Sequence, residues 1–348
     1  MGSSGYGSGD GADYYAGSGS YDRETVRFFD VAHEGGQVRA VASIAGELGG
    51  LRGLTPRSLV VVGTDQVSRA AARAAVKLRD PLPLPVVVTA TLPDYVGPLD
   101  VILVVGSCAD DERTGRDSRA LLTAAARGAE TILAGPARGA ILEDAPAGVV
   151  KAPTLPTADG ASPLRAMALV WALLDALVQP PEIVGEFLTA LADEVDSELE
   201  ALSPQRDESV NAARQLRAFA EGTHVLHTGF TPSGDAVAAL AAELWATRGL
   251  ASGYVARAEL GPALEDVSAA ARDPFHDPFL PSLADGPQLV PLKTVVWDGE
   301  DSPEAFPLPN SRVESADSSS RGVLGAVSMA ARLSVRAYAA TAMNAPGF

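Results

Sequence analysis

Residues 100–135 read DVILVVGSCADDERTGRDSRALLTAAARGAETILAG, and the reading of this stretch decides the fold. Val101, Ile102, Leu103, Val104 and Val105 form a short, wholly apolar, mostly β-branched run, the pattern of a parallel strand buried on both faces. The spacing predicts a helix after it, with an apolar stripe at Leu121, Leu122, Ala125 and Ala126 and with Gly128 placed to end it. Thr131, Ile132 and Leu133 then restart a buried strand, completing one βαβ unit. Ligands of open parallel sheets sit beyond the carboxyl ends of the strands, so residues 106–114 are the first candidate site. Ser107, Cys108 and Thr114 are the phosphate-binding candidates there, in the company of Asp110, Asp111 and Glu112. Successive carboxylates repel a phosphate but favour the positive end of a helix, so the loop reads as a cap first and an anion site second.

Outward from this unit the same grammar recurs. Residues 58–62 read as a buried strand, 63–67 as a turn, 68–78 as an alanine-rich helix and 86–88 as another strand, which predicts a doubly wound parallel sheet. A helix over 162–178 starts with Pro163 in its first turn, where a missing N–H costs little, and Pro180 and Pro181 break it. A long helix follows over 183–202, with a stripe at Val184, Leu188, Leu191, Val195 and Leu202 that suits pairing between protomers or packing between the halves of one chain. Beyond it come a helix at 211–221, a strand at 223–228, a loop at 229–234 and a helix at 235–247, echoing 58–78. A strand over 289–297, set in a proline-rich stretch from 273 to 309 that is otherwise loop, and a last helix over 322–342 close the chain. The expected fold class is α/β, two tandem doubly wound parallel-sheet domains of flavodoxin-like type. The expected organisation is a flexible Gly/Ser tail (1–20), an N-terminal domain (21–180), a linker helix (181–202) and a C-terminal domain (203–348).

Composition removes several function classes. The 348 residues carry a formal net charge of −17, which disfavours nucleic acid and anionic membranes as partners and requires any anionic ligand to be held locally. Hydrophobic residues make up 47%, yet no apolar run reaches the roughly 20 residues of a membrane span, and the N-terminus has no signal-peptide pattern. Cys108 is the only cysteine, so neither an intrachain disulfide nor a zinc-finger site is possible. A cytoplasmic protein without a cofactor or metal is the expectation.

The motifs LVVVG at 59–63, VILVVGSCADDERT at 101–114, ARGAETILAG at 126–135, SPLRAMALVWALL at 162–174, SVNAARQLRAFAEGTHVLHTG at 209–229 and VVWDGEDSP at 295–303 together resemble the sugar isomerase (SIS) domain superfamily. Their order is similar to that of the bifunctional phosphoglucose/phosphomannose isomerase family. The resemblance implies a phosphosugar ligand and a homodimer, because SIS sites are typically built between subunits. It implies phosphate contacts from the loop residues Ser68, Ser107, Cys108 and Thr114 and from Arg165, which matches the family's arginine after proline and otherwise reads as a salt-bridge partner, while Ser233 and Thr231, ahead of a helix, read as anion ligands or as caps. The departures are large. Thr64, Asp65, Gln66, Val67 and Ser68 replace a glycine-serine loop, and Gly106, Cys108, Ala109 and Asp111 replace the second loop's serines, glycine and threonine. Aldose–ketose isomerisation needs a base between neighbouring carbons and a second acid–base group to open the ring. The family takes these from a glutamate and a downstream histidine. Here the matching segment, 243–266, has no histidine, and the glutamate position falls near Gly249 or Leu250.

Two readings follow. One is a phosphosugar-binding SIS protein with weakened or lost catalysis. The other is an active hexose-phosphate isomerase whose base has moved to Glu243, Glu259 or Glu265, residues that otherwise read as solvated helix faces. His227, at the end of a predicted strand, reads as a core histidine, and His276 between two acids as an isolated metal-ligand candidate.

Overall fold

The computed structural model describes residues 22–106, 111–136, 138–155, 160–270, 290–298, 308, 310–317 and 322–344, without the side chains of 111–114, 265–270 and 322–323. Three short helices, α1 (Arg23–Ala32), α2 (Glu34–Ala42) and α3 (Ala45–Leu48), lead into the first sheet. Then come β1 (Ser58–Gly63), α4 (Gln66–Lys77), β2 (Val86–Thr89), β3 (Asp100–Val105), α5 (Asp111–Ala126), β4 (Glu130–Ala134), α6 (Ala140–Glu143), β5 (Val150–Lys151) and α7 (Pro163–Ala176). After α8 (Pro181–Ala201), the second half runs α9 (Ala212–Ala220), β6 (His224–Thr228), α10 (Pro232–Thr247), β7 (Ser252–Tyr254), α11 (Arg257–Ala270), β8 (Leu292–Trp297), β9 (Ser311–Glu314) and α12 (Gly322–Ala342).

Both sheets are parallel throughout, in the orders β2-β1-β3-β4-β5 and β7-β6-β8-β9. The second order repeats the first four strands of the first, with β6 in the place of β1 and α10 in that of α4. An indole ties the helix after the first strand to the last helix of each half, in opposite directions: Trp171 of α7 donates to the Ala75 carbonyl of α4, and Trp245 of α10 donates to the Ala337 carbonyl of α12. The α/β class and the strand–loop–helix echo expected from sequence are therefore present.

Local chemistry explains the element ends. Asp65 caps α4 by accepting from the Ser68 N–H at 2.8 Å, and Ser162 caps α7 by accepting from the Arg165 N–H at 3.2 Å, ahead of Pro163. Gly128 (φ 79°) ends α5 in a Schellman motif, the Ala129 N–H reaching the Ala124 carbonyl and the Gly128 N–H that of Ala125. The α5 stripe is rotated from the expected one. Leu121 and Ala124 are buried, whereas Leu122 and Ala126 face outward, because the helix turns its 3.6-residue face toward β3 and β4. Elements without a counterpart in the sequence reading include α6, β7, α11 and β9. The proline-rich 273–309 loop lies largely outside the described residues.

The stripe of α8 is buried within the chain. Val184, Leu188, Leu191 and Val195 are almost fully inaccessible, packed into one core that also holds residues of α2 and α12. The same helix carries the buried Glu198, which accepts from the Arg332 Nε (3.0 Å) and Arg336 Nε (2.9 Å) of α12. Arg336 also reaches Glu314 of β9 at 3.0 Å. Burial opposes the Arg336 charge, but these two carboxylates hold its pKa above the ordinary value.

Truncating one partner of such a group leaves buried charge uncompensated. Glu198→Ala should lower stability by about 3 kcal/mol or more and shift the urea midpoint accordingly. Asp193→Ala, at an exposed pair with Arg39 (2.7 Å), should leave the midpoint unchanged.

Candidate functional site

In the first sheet the strand order reverses between β1 and β3, and a cleft of about 520 Å³ opens beyond their carboxyl ends. Close backbone packing shapes its floor. The Thr64 N–H donates to the Val105 carbonyl at 2.8 Å, and the Gly106 N–H to that of Ala134 at 3.1 Å. Gly106 has φ 155°, and a Cβ there would overlap Thr64 Oγ1 and Asp65 Oδ2, so the two loops can meet only through glycine.

Thr64, Asp65, Gln66 and Arg69 line the cleft from the β1 loop and α4, Arg116 and Asp117 from α5, Ala161 from the loop before α7, and Thr247 and Arg248 from the end of α10. Residues of both halves therefore form one cavity. The Arg69 Nη1 donates to the Gly63 carbonyl at 2.9 Å. Arg248 donates to the Tyr338 hydroxyl at 2.7 Å and lies over its ring, 5.1 Å from the centroid. The Tyr338 hydroxyl in turn donates to the Ala161 carbonyl at 3.1 Å; burial, then nearby Glu34 and Asp30, keep it un-ionised. Asp117 is a carboxylate only 6% exposed in the wall of the cleft.

The sequence-derived candidates fall into different places. Arg165 is 4% exposed, and its guanidinium donates to the carbonyls of Gly135 (3.0 Å), Ala152 (2.8 Å) and Ala134 (3.4 Å). Burial pulls its pKa down to about 10, nearby Glu34 opposing. It clamps the ends of β4 and β5 to α7, a use of arginine that neither a phosphate grip nor a salt bridge anticipates. Ser68, 2% exposed, donates its hydroxyl to Asp65 at 2.8 Å inside the α4 cap. Ser233 sits half-buried in the first turn of α10, where Thr231 is the cap, accepting from the Gly234 N–H at 3.0 Å. Ser107 and Cys108, with the side chain of Thr114, lie outside the described residues, as do the Glu265 side chain and His276.

Among the proposed bases, Glu243 accepts from the Gln66 amide at the cleft edge, and Glu259 is exposed on α11. Near the position implied for the family's glutamate, Gly249 (φ 80°) closes α10 in a Schellman cap, and the adjacent Arg248 is what reaches the cleft. His227 is a core residue: its Nδ1 accepts from Trp297 Nε1 at 2.9 Å, its ring meets Trp245 edge-on, and burial depresses its pKa to about 3. Among the described residues no cluster of metal-ligating side chains occurs, and no helix is long and apolar enough to cross a membrane.

The sequence reading missed Arg69, Arg116, Asp117 and Arg248. Two of them carried a signal: Arg69 follows the first strand–loop junction, and Arg116 lies in the second turn of the helix after the central strand.

Comparison with solved structures gives the architecture a precedent. The C-terminal domain of glucosamine-fructose-6-phosphate aminotransferase from Francisella tularensis superposes with a TM-score of 0.57 at 12% identity, over 92% of this chain and 96% of that one. The tagatose-6-phosphate ketose/aldose isomerase from Escherichia coli gives 0.56 at 12% identity, over 94% and 93%. The fold is the tandem sugar-isomerase fold. No protein-family model and no curated protein sequence matches the chain.

Within this SIS fold the cleft wall depends on a buried carboxyl. Glu34 of α2 accepts from the Leu164 N–H at 2.8 Å and from Ser162, so it anchors the loop that carries Ala161. Burial raises its pKa from 4.5 to about 8. Between those values the folded protein holds a proton that the unfolded chain has released. The stability from neutral Glu34 is therefore complete below about pH 4.5 and is lost as pH rises through about 8. Glu34→Gln should gain stability relative to the parent between about pH 5 and pH 8, measured as urea midpoints at each pH. An unchanged difference would mean that Glu34 is ionised in the folded protein throughout.

Proposed function

We propose that the chain binds a phosphorylated sugar in the cleft between its two halves, on a frame related to the glucose-6-phosphate/mannose-6-phosphate isomerases, with isomerase chemistry weakened or lost. The observation that carries this reading is the arginine set of the cleft: Arg69, Arg116 and Arg248 converge on one cavity in a chain of net charge −17. Planar guanidinium groups suit phosphate oxygens, and Thr64 supplies a hydroxyl beside them. The support for lost chemistry is equally local. His227 is sealed in the core, Glu259 faces water, and neither belongs to the cleft lining.

A second reading keeps catalysis and places the base on Asp117, the buried carboxylate facing the same cavity. The remaining expectations, a cytoplasmic homodimer of two domains (21–180 and 203–348) acting without a cofactor, stand as part of this proposal. Since the α8 stripe is buried within the chain, a dimer would have to form through other surfaces.

Hexose 6-phosphate at many times its Kd should raise the melting temperature, since a ligand bound only to the folded state stabilises it, and Arg248→Ala should remove the shift. A coupled assay should detect little or no interconversion of glucose, mannose and fructose 6-phosphates. Robust turnover abolished by Asp117→Asn would favour the second reading. Light scattering at micromolar concentration should report a dimer.

A further inference from the structure

The cleft continues into a second cavity of about 230 Å³, and the two share Arg116 and Asp117. The second cavity lies along α5, where Arg116, Arg119 and Thr123 and, just past its end, Arg127 recur at helical spacing, opposite the loop after β2. Arg127 is oriented by the loop itself: its Nη1 donates to the Asp94 carbonyl at 3.1 Å and to that of Pro93 at 3.5 Å. The Arg119 Nε donates to the Gly115 carbonyl at 3.0 Å, and its terminal nitrogens make no hydrogen bond among the described residues.

Among the described residues the trough thus holds five arginines (69, 116, 119, 127 and 248) against three aspartates (65, 94 and 117), in a protein whose net charge is −17. Local positive charge of this kind, against the sign of the whole molecule, concentrates anions by focusing the field in a cleft. A hexose monophosphate is much smaller than the trough, and its single anionic group can engage one arginine cluster while the other faces water.

We propose that the ligand carries two anionic groups on one sugar, as a hexose bisphosphate does. One phosphate lies toward Arg69 and Arg248, the second toward Arg119 and Arg127, with Arg116 between them and the sugar over Asp117. This rests on the reading of the cleft as a sugar-phosphate site, and it names the substrate class of that site.

Isothermal titration of the full chain with fructose 6-phosphate and with fructose 1,6-bisphosphate separates the two claims. The bisphosphate should bind about tenfold more tightly or better, since a second set of charge-assisted hydrogen bonds is made. Arg119→Ala, a change on an exposed helix face, should bring the ratio of the two affinities close to one, and so should Arg127→Ala. Monophosphate binding without preference for the bisphosphate would overturn this inference and leave the cleft reading intact. So would a preference that both substitutions leave unchanged. Absence of binding by either sugar would overturn both.

Discussion

The close crossing of α4 and α10 is the constraint on which the site depends. The two helices lie close together, Ala70 and Ala74 of one and Ala236 and Ala239 of the other lining a small cavity between them, and their ends are tied by polar contacts between the halves. Lys77 at the end of α4 pairs with Asp235 at the start of α10, and Gln66 at the start of α4 donates to Glu243 near the end of α10. The helices therefore run antiparallel, and the end of α10 is brought to the start of α4. That is why Arg248, almost two hundred residues downstream, faces Thr64 and Asp65. The cleft follows from this crossing, and a large side chain on the shared alanine face would open it.

A second theme is how an acidic protein handles buried carboxylates. Glu198 and Glu314 are answered by guanidinium groups, and Glu24 by Arg214 together with the Asn344 N–H at 2.9 Å. These contacts bind α8 and β9 to α12, and α1 to α9, while α1 and α12 also pack directly. Glu34 is different. It has N–H and hydroxyl donors but no ion pair among the described residues, and desolvation then favours its neutral form. The loop at the cleft wall thus rests on a group whose charge state changes within the ordinary pH range.

The regular architecture was legible because buried parallel strands and alanine-rich helices leave strong patterns. The run at β3, the Schellman glycine after α5, the proline start of α7 and the α8 stripe all express local rules that tertiary context reinforced. The elements left unread are those whose patterns are weak: β7 is three residues long, α6 and β9 four each, and α11 contains Pro262. The β9 strand was hidden inside a polar, serine-rich stretch. Leu122 was assigned to the wrong face because two adjacent leucines fit either side of a helical stripe, and only the neighbouring strands decide between them.

The site was less legible for a physical reason. A serine-glycine phosphate loop is contiguous in sequence, so its loss is visible, whereas a cleft built from arginines collects residues from helices far apart in the chain. Arg165 illustrates the converse: its position after proline suggested an anion ligand, but a guanidinium has five donors and serves equally well to gather carbonyls where strands end. Arg165 sits at the crowded ends of β4 and β5, where such carbonyls converge, whereas Arg69, Arg116 and Arg248 open onto the cavity. Which arginines can face a ligand is thus determined by the distribution of unsatisfied backbone groups, a property of the assembled sheet that no single stretch of sequence contains.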